Sequence, residues 1–422
     1  MRTAKHVLGP RIFLIVFGGT ILSALAQAAD WPLWRGADGN GVSTEVGLPS
    51  TWSPEGENLR WKVPMGGRST PIVVGGRVCI ITLADPDEPA KWQEQIVCFD
   101  AETGKLQWEF RYKVFLTDIP HHRVGWASLA ADQTTGYIYA NGIEGMVHCL
   151  DSEGKIVWSR SFSEEVGRIS GYGGRTVTPT LYGKLLIVNF LSAGWGSTTI
   201  PRDRFYALDK HTGETVWVST PGKAPKDTTY TVPVIRQVNG QLLLIGGNGD
   251  GWIYGLSLAT GRKLWGFPLS KRGINSSVVV QGNLVYASHS EENVDSSTAM
   301  GRLVCLDAGQ VKDGKPKLIW QVDGITAGYA SPALFGNYLY HVDNSANLLA
   351  FRADTGERLW KHNLGVMQRA SPVVADGKLM VSDVDGQFHI LRLKGTQPPE
   401  VLDIERFTNA DGSAVPINGS LN

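Results

Sequence analysis

Charge imbalance, cysteine and long apolar runs are all scarce in this chain of 422 residues. Lys plus Arg number 40 and Asp plus Glu number 40, so there is no basic excess to displace counterions from a nucleic acid. Such a partner is therefore not expected. The one sustained apolar run, Ile12 to Leu25, follows Arg2, Lys5 and Arg11 and precedes Ala26-Gln27-Ala28. A basic start, a short apolar stretch and an A-x-A site predict a signal peptide cleaved after Ala28. The run is short of the roughly 20 residues that span a bilayer, and no cysteine follows it to carry a lipid. Cleavage leaves 37 bases against 40 acids, so a soluble, periplasmic or secreted protein of net charge −3 is expected. Phosphate-binding loops, hydrolase elbows and zinc-ligand spacings are missing, and so is a C-x-x-C-H haem site. Stretches of helical period are few; short Val/Ile/Leu/Tyr runs bounded by Gly-Gly, Asn-Gly and Asp-Gly dominate.

Glycine and tryptophan, at 50 and 14 residues, are plentiful, and they recur in a phrase. It reads Asp100…Thr103-Gly104…Trp108, Asp151…Gly154…Trp158, Asp209…Thr212-Gly213…Trp217, Ser257…Thr260-Gly261…Trp265, Asp307…Gly314…Trp320 and Arg352…Thr355-Gly356…Trp360. The six tryptophans stand 40 to 59 residues apart. That period belongs to units that bury their apolar faces only against their neighbours. Within a unit, Pro71–Val74, Arg77–Leu83 and Gln95–Phe99 read as strands. The Asp-x-x-Thr-Gly turn then leads to a fourth strand carrying Trp108. The glycine supplies the left-handed residue of the hairpin, and the aspartate bonds the turn amides. The tryptophan offers a flat apolar surface for a neighbouring sheet.

First strands begin near Pro71, Leu129, Pro179, Pro233, Val278, Pro332 and Pro372, which makes seven. Fourth-strand tryptophans are Trp61, Trp108, Trp158, Trp217, Trp265, Trp320 and Trp360, also seven. The last unit lacks its own tryptophan and Trp61 precedes the first unit. The expectation is an all-β, seven-bladed propeller, with Leu59–Pro64 completing the last blade and closing the ring. Eight blades is the alternative, with Glu400–Phe407 completing a blade. The domain reading is signal peptide 1–28, leader 29–58, propeller 59–395 and a poorly ordered tail 396–422. Cys98, Cys149 and Cys305 each stand two before the repeat's first residue, where other units place Ala207, Gly255 and Ala350; packed thiols are expected there. A Cys79–Cys98 bridge stays open, because export permits it and the two can lie on adjoining strands.

These phrases resemble the tryptophan-docking repeats of the PQQ-like (pyrroloquinoline-quinone-like) propeller family, over residues 59 to 393. Trp31-Pro32-Leu33-Trp34-Arg35-Gly36, with Gly47-Leu48-Pro49 and Trp52, looks like the leader of exported bacterial members. The family includes quinoprotein alcohol dehydrogenases, an outer-membrane assembly scaffold subunit and members without assigned activity. The dehydrogenase branch implies PQQ on a calcium ion, a vicinal cysteine pair and an aspartate base. This chain has no adjacent cysteines and no segment that matches the calcium ligands. The scaffold branch implies a binding role, although this chain lacks the lipid cysteine and reads as seven blades against that subunit's eight. The expectation is a non-catalytic propeller for a protein, peptide or saccharide partner, with no cofactor and no metal. A PQQ- and Ca²⁺-dependent dehydrogenase is the alternative.

Function is sought where the repeat varies. The turns between strands one and two, and between three and four, are short and share one face. The longer loops, 84–94, 191–204 and 288–301 within blades and 113–125, 163–175 and 219–229 between them, share the other. Three residues before each first strand stand Arg68, Trp126, Thr176, Tyr230, Asn275, Tyr329 and Arg369, a candidate ring at the channel mouth. Blades 1 and 7 adjoin in a closed ring, so Arg68 and Arg369, with Arg175, can fork onto a carboxylate or phosphate. The competing reading is a plug that only fills the channel. Asp118, His121 and His122 read as a solvated loop rather than a metal site. Asp383, Asp385 and Gly386, like Asn248, Asp250 and Gly251, read as turn chemistry.

Overall fold

The computed structural model describes residues 30–88, 91–114, 123–167, 176–192, 200–296, 298–409 and 412–415. The signal-peptide stretch, Arg175, and the Asp118, His121 and His122 group lie outside the described residues. Twenty-eight strands form seven four-stranded antiparallel sheets, each a meander in simple chain order. This is the expected seven-bladed propeller. Blade 1 comprises Ile72–Val74, Arg77–Ala84, Gln93–Asp100 and Leu106–Lys113. Blades 2 to 7 follow over 130–161, 180–219, 234–268, 279–323, 333–363 and 373–406.

Every blade carries the same irregularity between its third and fourth strands, one residue before the docking position: Cys98 faces Trp108, but Phe99 faces Leu106, which leaves Gln107 bulged. The same slip falls at Ala207/Leu208, Gly255/Leu256 and Ala350/Phe351. A bulge bends and twists the strand locally. Here it aims the tryptophan at the next blade. Trp108 Nε1 donates to Ser152 O at 3.0 Å, Trp158 to Lys210 O at 2.9 Å and Trp217 to Leu258 O at 2.9 Å, each one residue past the start of the next repeat phrase. The ring lies against the next glycine: a Cβ at Gly104, whose φ is +67°, would stand 2.6 Å from the Trp61 ring. Trp265 departs from the rule. Blade 5 has the longer turn, Gly314 O accepts from Gly266 N at 2.9 Å, and buried Trp265 Nε1 has no hydrogen-bond partner.

Ring closure corrects the sequence expectation. The fourth strand of blade 7 is Gln397–Arg406, not Leu59–Pro64, which contains no strand; much of the expected tail is therefore propeller. Where other blades place the tryptophan, blade 7 has Asp403 opposite Ile390, and Asp403 accepts from Trp52 N at 2.9 Å. Trp61 still docks on blade 1, over Gly104 and onto Ala101 O at 2.8 Å. The stretch just past the leader thus provides the docking tryptophan that blade 7 lacks without providing a strand.

Buried apolar clusters fill the six seams between consecutive blades, as Val234, Ile245, Val285 and Val304 do between blades 4 and 5. The leader ties the seventh seam. Trp31 exchanges two backbone bonds of 2.9 Å with Val73 of blade 1, and Val42 bridges Val374 of blade 7. Trp52 then packs on Phe388 and Phe407. Cys79 and Cys98 face each other across blade 1 and form a disulfide, so Cys98 is not a free thiol. Cys149 and Cys305 are buried free thiols, as expected, and burial pushes each up to about 12.

Candidate functional site

A belt of hydroxyls runs round much of the channel and fixes the residues above it. Thr70 N donates to Ser128 Oγ, Ser128 N to Thr178 Oγ1, Val232 N to Ser277 Oγ, Ser277 N to Ser331 Oγ and Ser331 N to Ser371 Oγ, all at 2.8–2.9 Å. Each bond joins one blade to the next. Two residues upstream of each belt position stands one member of the ring expected from the sequence, from Arg68 above Thr70 to Arg369 above Ser371.

The ring is not uniform. Trp126, Thr176 and Tyr230, from blades 2 to 4, are buried. Trp126 packs on Tyr230 with ring centroids 6.0 Å apart, and Thr176 Oγ1 donates to Asn141 O at 2.7 Å. Thr228 Oγ1 donates to Tyr230 Oη at 3.0 Å. These three fill and tie the mouth, as the plug reading expects. Asn275, Tyr329, Arg369 and Arg68, from blades 5, 6, 7 and 1, are only half-buried and form a continuous accessible arc. The Arg369 guanidinium sits 5.7 Å from the Tyr329 ring centroid, within cation–π range. Arg68 is lowered from its ordinary value, first by burial and then by the charge of Arg369. Among the described residues, no carboxylate pairs with either arginine, whereas Arg302 holds both Asp295 and Asp323. Asn275 Oδ1 is buried and has no partner. Two mutually repelling cations without an acid among the described residues are suited to an anion.

The opposite end of the channel is occupied by the leader. Arg35, 2% exposed, sends Nη1 to Ser331 O at 3.0 Å and Nη2 to Pro332 O at 2.7 Å, Asn40 O at 3.1 Å and Pro372 O at 3.4 Å. It is a buried cation whose hydrogen bonds all end on carbonyls, with the Trp34 ring centroid 5.6 Å from the guanidinium and Nε left without a partner, and burial pushes it down to about 9. Gly41 is required beside it: its φ is +71°, and a Cβ there would lie 2.0 Å from Arg35 Nη2. Trp34 packs with Val177 and with Val232, the belt position that lacks a hydroxyl.

Glu94 and Asp203, loop-side carboxylates that the sequence did not single out, are structural clasps. Glu94 accepts from Tyr112 Oη at 2.6 Å, Gly125 N at 2.8 Å and Ile143 N at 3.0 Å, tying blade 1 to blade 2; burial raises its pKa. Asp203 accepts from Asn189 Nδ2 and Gly249 N, both at 2.8 Å, and burial pushes it up to about 6. Asp250 accepts from Lys223 N, Trp252 N and Tyr254 Oη, and Asp383 accepts from Gln387 N, so both turns do the backbone work expected of them. Among the described residues, no group of three His, Cys, Asp or Glu side chains is placed to hold a metal ion. The arc itself contains no carboxylate, so its donor set does not fit a calcium-bound quinone. No helix among them is long and apolar enough to cross a membrane.

Comparison with known proteins agrees with this architecture. The family described as outer membrane protein assembly factor BamB matches residues 93–361 and 299–397. No curated protein matches the chain. Among solved structures, BamB from Moraxella catarrhalis superposes with a TM-score of 0.57 at 16% identity, covering 83% of this chain and 96% of that one. The computationally designed Ika8 protein gives 0.52 at 12% identity, covering 83% and 92%. A europium-containing methanol dehydrogenase gives 0.46 at 12% identity, covering 86% and 89%. Such identities speak to fold alone. With the family match running over most of the blades, the chain belongs to the PQQ-like propeller family described as outer membrane protein assembly factor BamB.

Proposed function

We propose that this is an exported, non-catalytic binding propeller that takes an acidic segment of a partner protein at the arc of Arg68, Arg369, Tyr329 and Asn275. The observation that carries the reading is the pair of half-buried guanidiniums on the loop side, close enough to repel and without a carboxylate partner among the described residues. Forked donation from two arginines satisfies a carboxylate at both oxygens. The Tyr329 face and the Asn275 amide add contacts that a free ion would not use. Family membership favours a protein partner over a saccharide.

The test is binding of a fluorescently labelled glutamate-rich peptide to the mature protein. Wild type binds saturably and weakens as salt screens the contact. Arg68→Ala with Arg369→Ala loses at least about tenfold, or 1.4 kcal/mol. Equal binding by the double variant overturns the reading. A parallel titration with PQQ and Ca²⁺ addresses the dehydrogenase alternative. Saturable, calcium-dependent stabilisation there displaces the binding reading in favour of the enzyme.

A further inference from the structure

The seven connections that end on the mouth ring differ at one register position. Three residues before the ring stand Met65, Arg123, Gly173, Asp227, Arg272, Thr326 and Val366. Only the two connections that end on arginine, at Arg68 and Arg369, carry an apolar side chain there. Both are exposed, Met65 at 38% and Val366 at 77%, and Met367 beside Val366 is 45% exposed. A lone apolar residue on a surface is ordinary. One repeated at the same offset from both members of a charged pair, where the other connections are charged, polar or bare, follows the arginines and not the repeat.

These residues stand on fixed backbone. Gly66 O, next to Met65, accepts from Thr82 Oγ1 of blade 1. The connection through Val366 is clasped between the loop-side turns of two blades. Leu364 N donates to Ala346 O of blade 6 at 2.8 Å, Gln368 N to Asn344 O of blade 6 at 3.3 Å, and Val384 N of blade 7 to Met367 O at 3.3 Å. A surface ordered before a partner arrives loses little freedom on binding it.

The path of the chain sets the apolar pair in line with the arc. First strands line the channel and fourth strands form the rim, so the connection from Asn363 to Val373 runs inward across the loop face. It passes Val366 and Met367 before it reaches Arg369. The turns beside it are short: 343–346 and 383–386 are four residues each, against seven for 293–299 in blade 5 and eight for 85–92 in blade 1. The arc therefore has its lowest approach over blades 6 and 7, along a floor that is apolar first and cationic at its inner end. Resting on the reading of the arc as the seat of an acidic segment, we propose that the segment selected is amphipathic. It lies extended over blades 6 and 7, sets its carboxylate on Arg68 and Arg369, and covers Val366 and Met367 with an aliphatic residue two to four positions from the acid. Three residues span at most about 10 Å of extended chain, which fixes that spacing. Two arginines take any acidic segment; the apolar floor chooses among them, and the unbranched thioether of Met367 adapts to aliphatic side chains of different shape.

The test uses three labelled peptides titrated into the mature protein and read by anisotropy. All carry the same two adjacent glutamates in a glycine–serine frame. The first has two leucines beginning three positions from the acids, the second has serines in their place, and the third has the leucines ten positions away. The first binds wild type at least about tenfold tighter than the second, the low end for burial of one leucine. The third binds like the second. Val366→Ser with Met367→Ser brings the first peptide level with the second without lowering the melting temperature, and Val366→Ile with Met367→Leu keeps the preference. Equal binding of the first two peptides to wild type overturns the inference, as does an undiminished preference in the serine variant or a third peptide that binds like the first. Where the preference is absent but Arg68→Ala with Arg369→Ala still abolishes binding of every peptide, the arc keeps its role and the apolar selection alone fails. Where no peptide binds wild type, both fall.

Discussion

The two ends of the propeller channel each present arginine, in opposite circumstances. At the leader end Arg35 is fully enclosed and each of its hydrogen bonds ends on a backbone carbonyl. At the loop end Arg68 and Arg369 are half-buried, push against each other and meet no acid among the described residues. A cation that the fold encloses and bonds to its own carbonyls holds the molecule together. Cations that the fold leaves unsatisfied are available to something else. The same residue type thus does architecture at one mouth and presents a site at the other, and the difference lies in what surrounds it.

Removing Arg35 is the strongest way to break this comparison. Arg35→Ala strips the donors from Ser331, Pro332 and Pro372, and it also unfastens the leader from blades 6 and 7. Buried acceptors left unpaired cost about 1–3 kcal/mol each, partly offset by releasing a desolvated charge, so the expected loss is roughly 3–5 kcal/mol. Urea unfolding of the mature protein measures it. A near-neutral result would mean that the leader is an accessory and the asymmetry of the two ends is superficial.

Acid separates the ends next. His148 and His289 are lowered to about 4 by burial, and His341 to about 3 by burial and then by the Arg35 charge. The folded state keeps all three neutral, while the unfolded chain takes up protons as the pH falls through the ordinary histidine range. Their contribution is complete above about pH 6.5 and is lost on acidification at about 1.4 kcal/mol per pH unit per histidine. Asp203, raised to about 6, has the opposite sign and offsets part of this: it favours folding at low pH and loses that contribution as the pH rises through 6. Melting temperature should therefore drop steeply from pH 6.5 towards 4, and His341→Gln should make the drop shallower. Peptide binding at the arginine arc should stay flat over pH 5.5 to 8, because guanidinium does not titrate there. A bell-shaped binding profile would put a histidine or carboxyl into the site.

Trp61 measures the seam that the leader closes. It is partly buried against Gly104 and bonded to Ala101 O, so Trp61→Ala should cost about 1–2 kcal/mol, less than the 3–5 kcal/mol expected for a fully buried Trp265→Ala. Thermal unfolding of both variants gives the ratio, and equal costs would mean that the seventh seam is packed like the other six.

The sequence displayed the repeating parts of this molecule and concealed its exceptions. Seven blades follow from the spacing of Gly104, Gly154, Gly213, Gly261 and Gly356 with their tryptophans, because docking places a glycine under a tryptophan at five of the seams. The mouth ring was legible from register alone, since its members share one offset from the first strands. What misled was Trp61. It does the work of a fourth-strand tryptophan, so it reads as one, while the true closing strand, Gln397–Arg406, hides behind two prolines and has Asp403 in the tryptophan's place. Arg35 was quoted only as part of a leader phrase. A buried, acid-free cation is too costly to expect from sequence, and only the convergence of carbonyls from blades 6 and 7 makes it affordable. Which half of the ring is filled and which is accessible depends on neighbours far away in the chain.

The smallest stability effect gives the sharpest comparison. Arg68→Ala and Arg369→Ala remove charges that form no ion pair with any described carboxylate and that repel each other, so neither truncation strands a buried partner. Arg68→Ala should move unfolding free energy by no more than about 0.5 kcal/mol, the range of surface substitutions away from core and network. Either truncation alone removes the repulsion, so Arg68→Ala should sit at or slightly above wild type and the double variant should fall close to Arg369→Ala. Arg369→Ala also gives up its cation–π contact with Tyr329, worth about 0.5–1 kcal/mol at an exposed site, so of the two singles it should be the less stable. A double-mutant cycle read by urea unfolding isolates the coupling. A coupling that favours the pair would mean that the two guanidiniums share a hidden structural anion or carbonyl and belong with Arg35. A repulsive coupling leaves them as the unsatisfied end of the channel, where an acidic partner supplies the charge that the fold withholds.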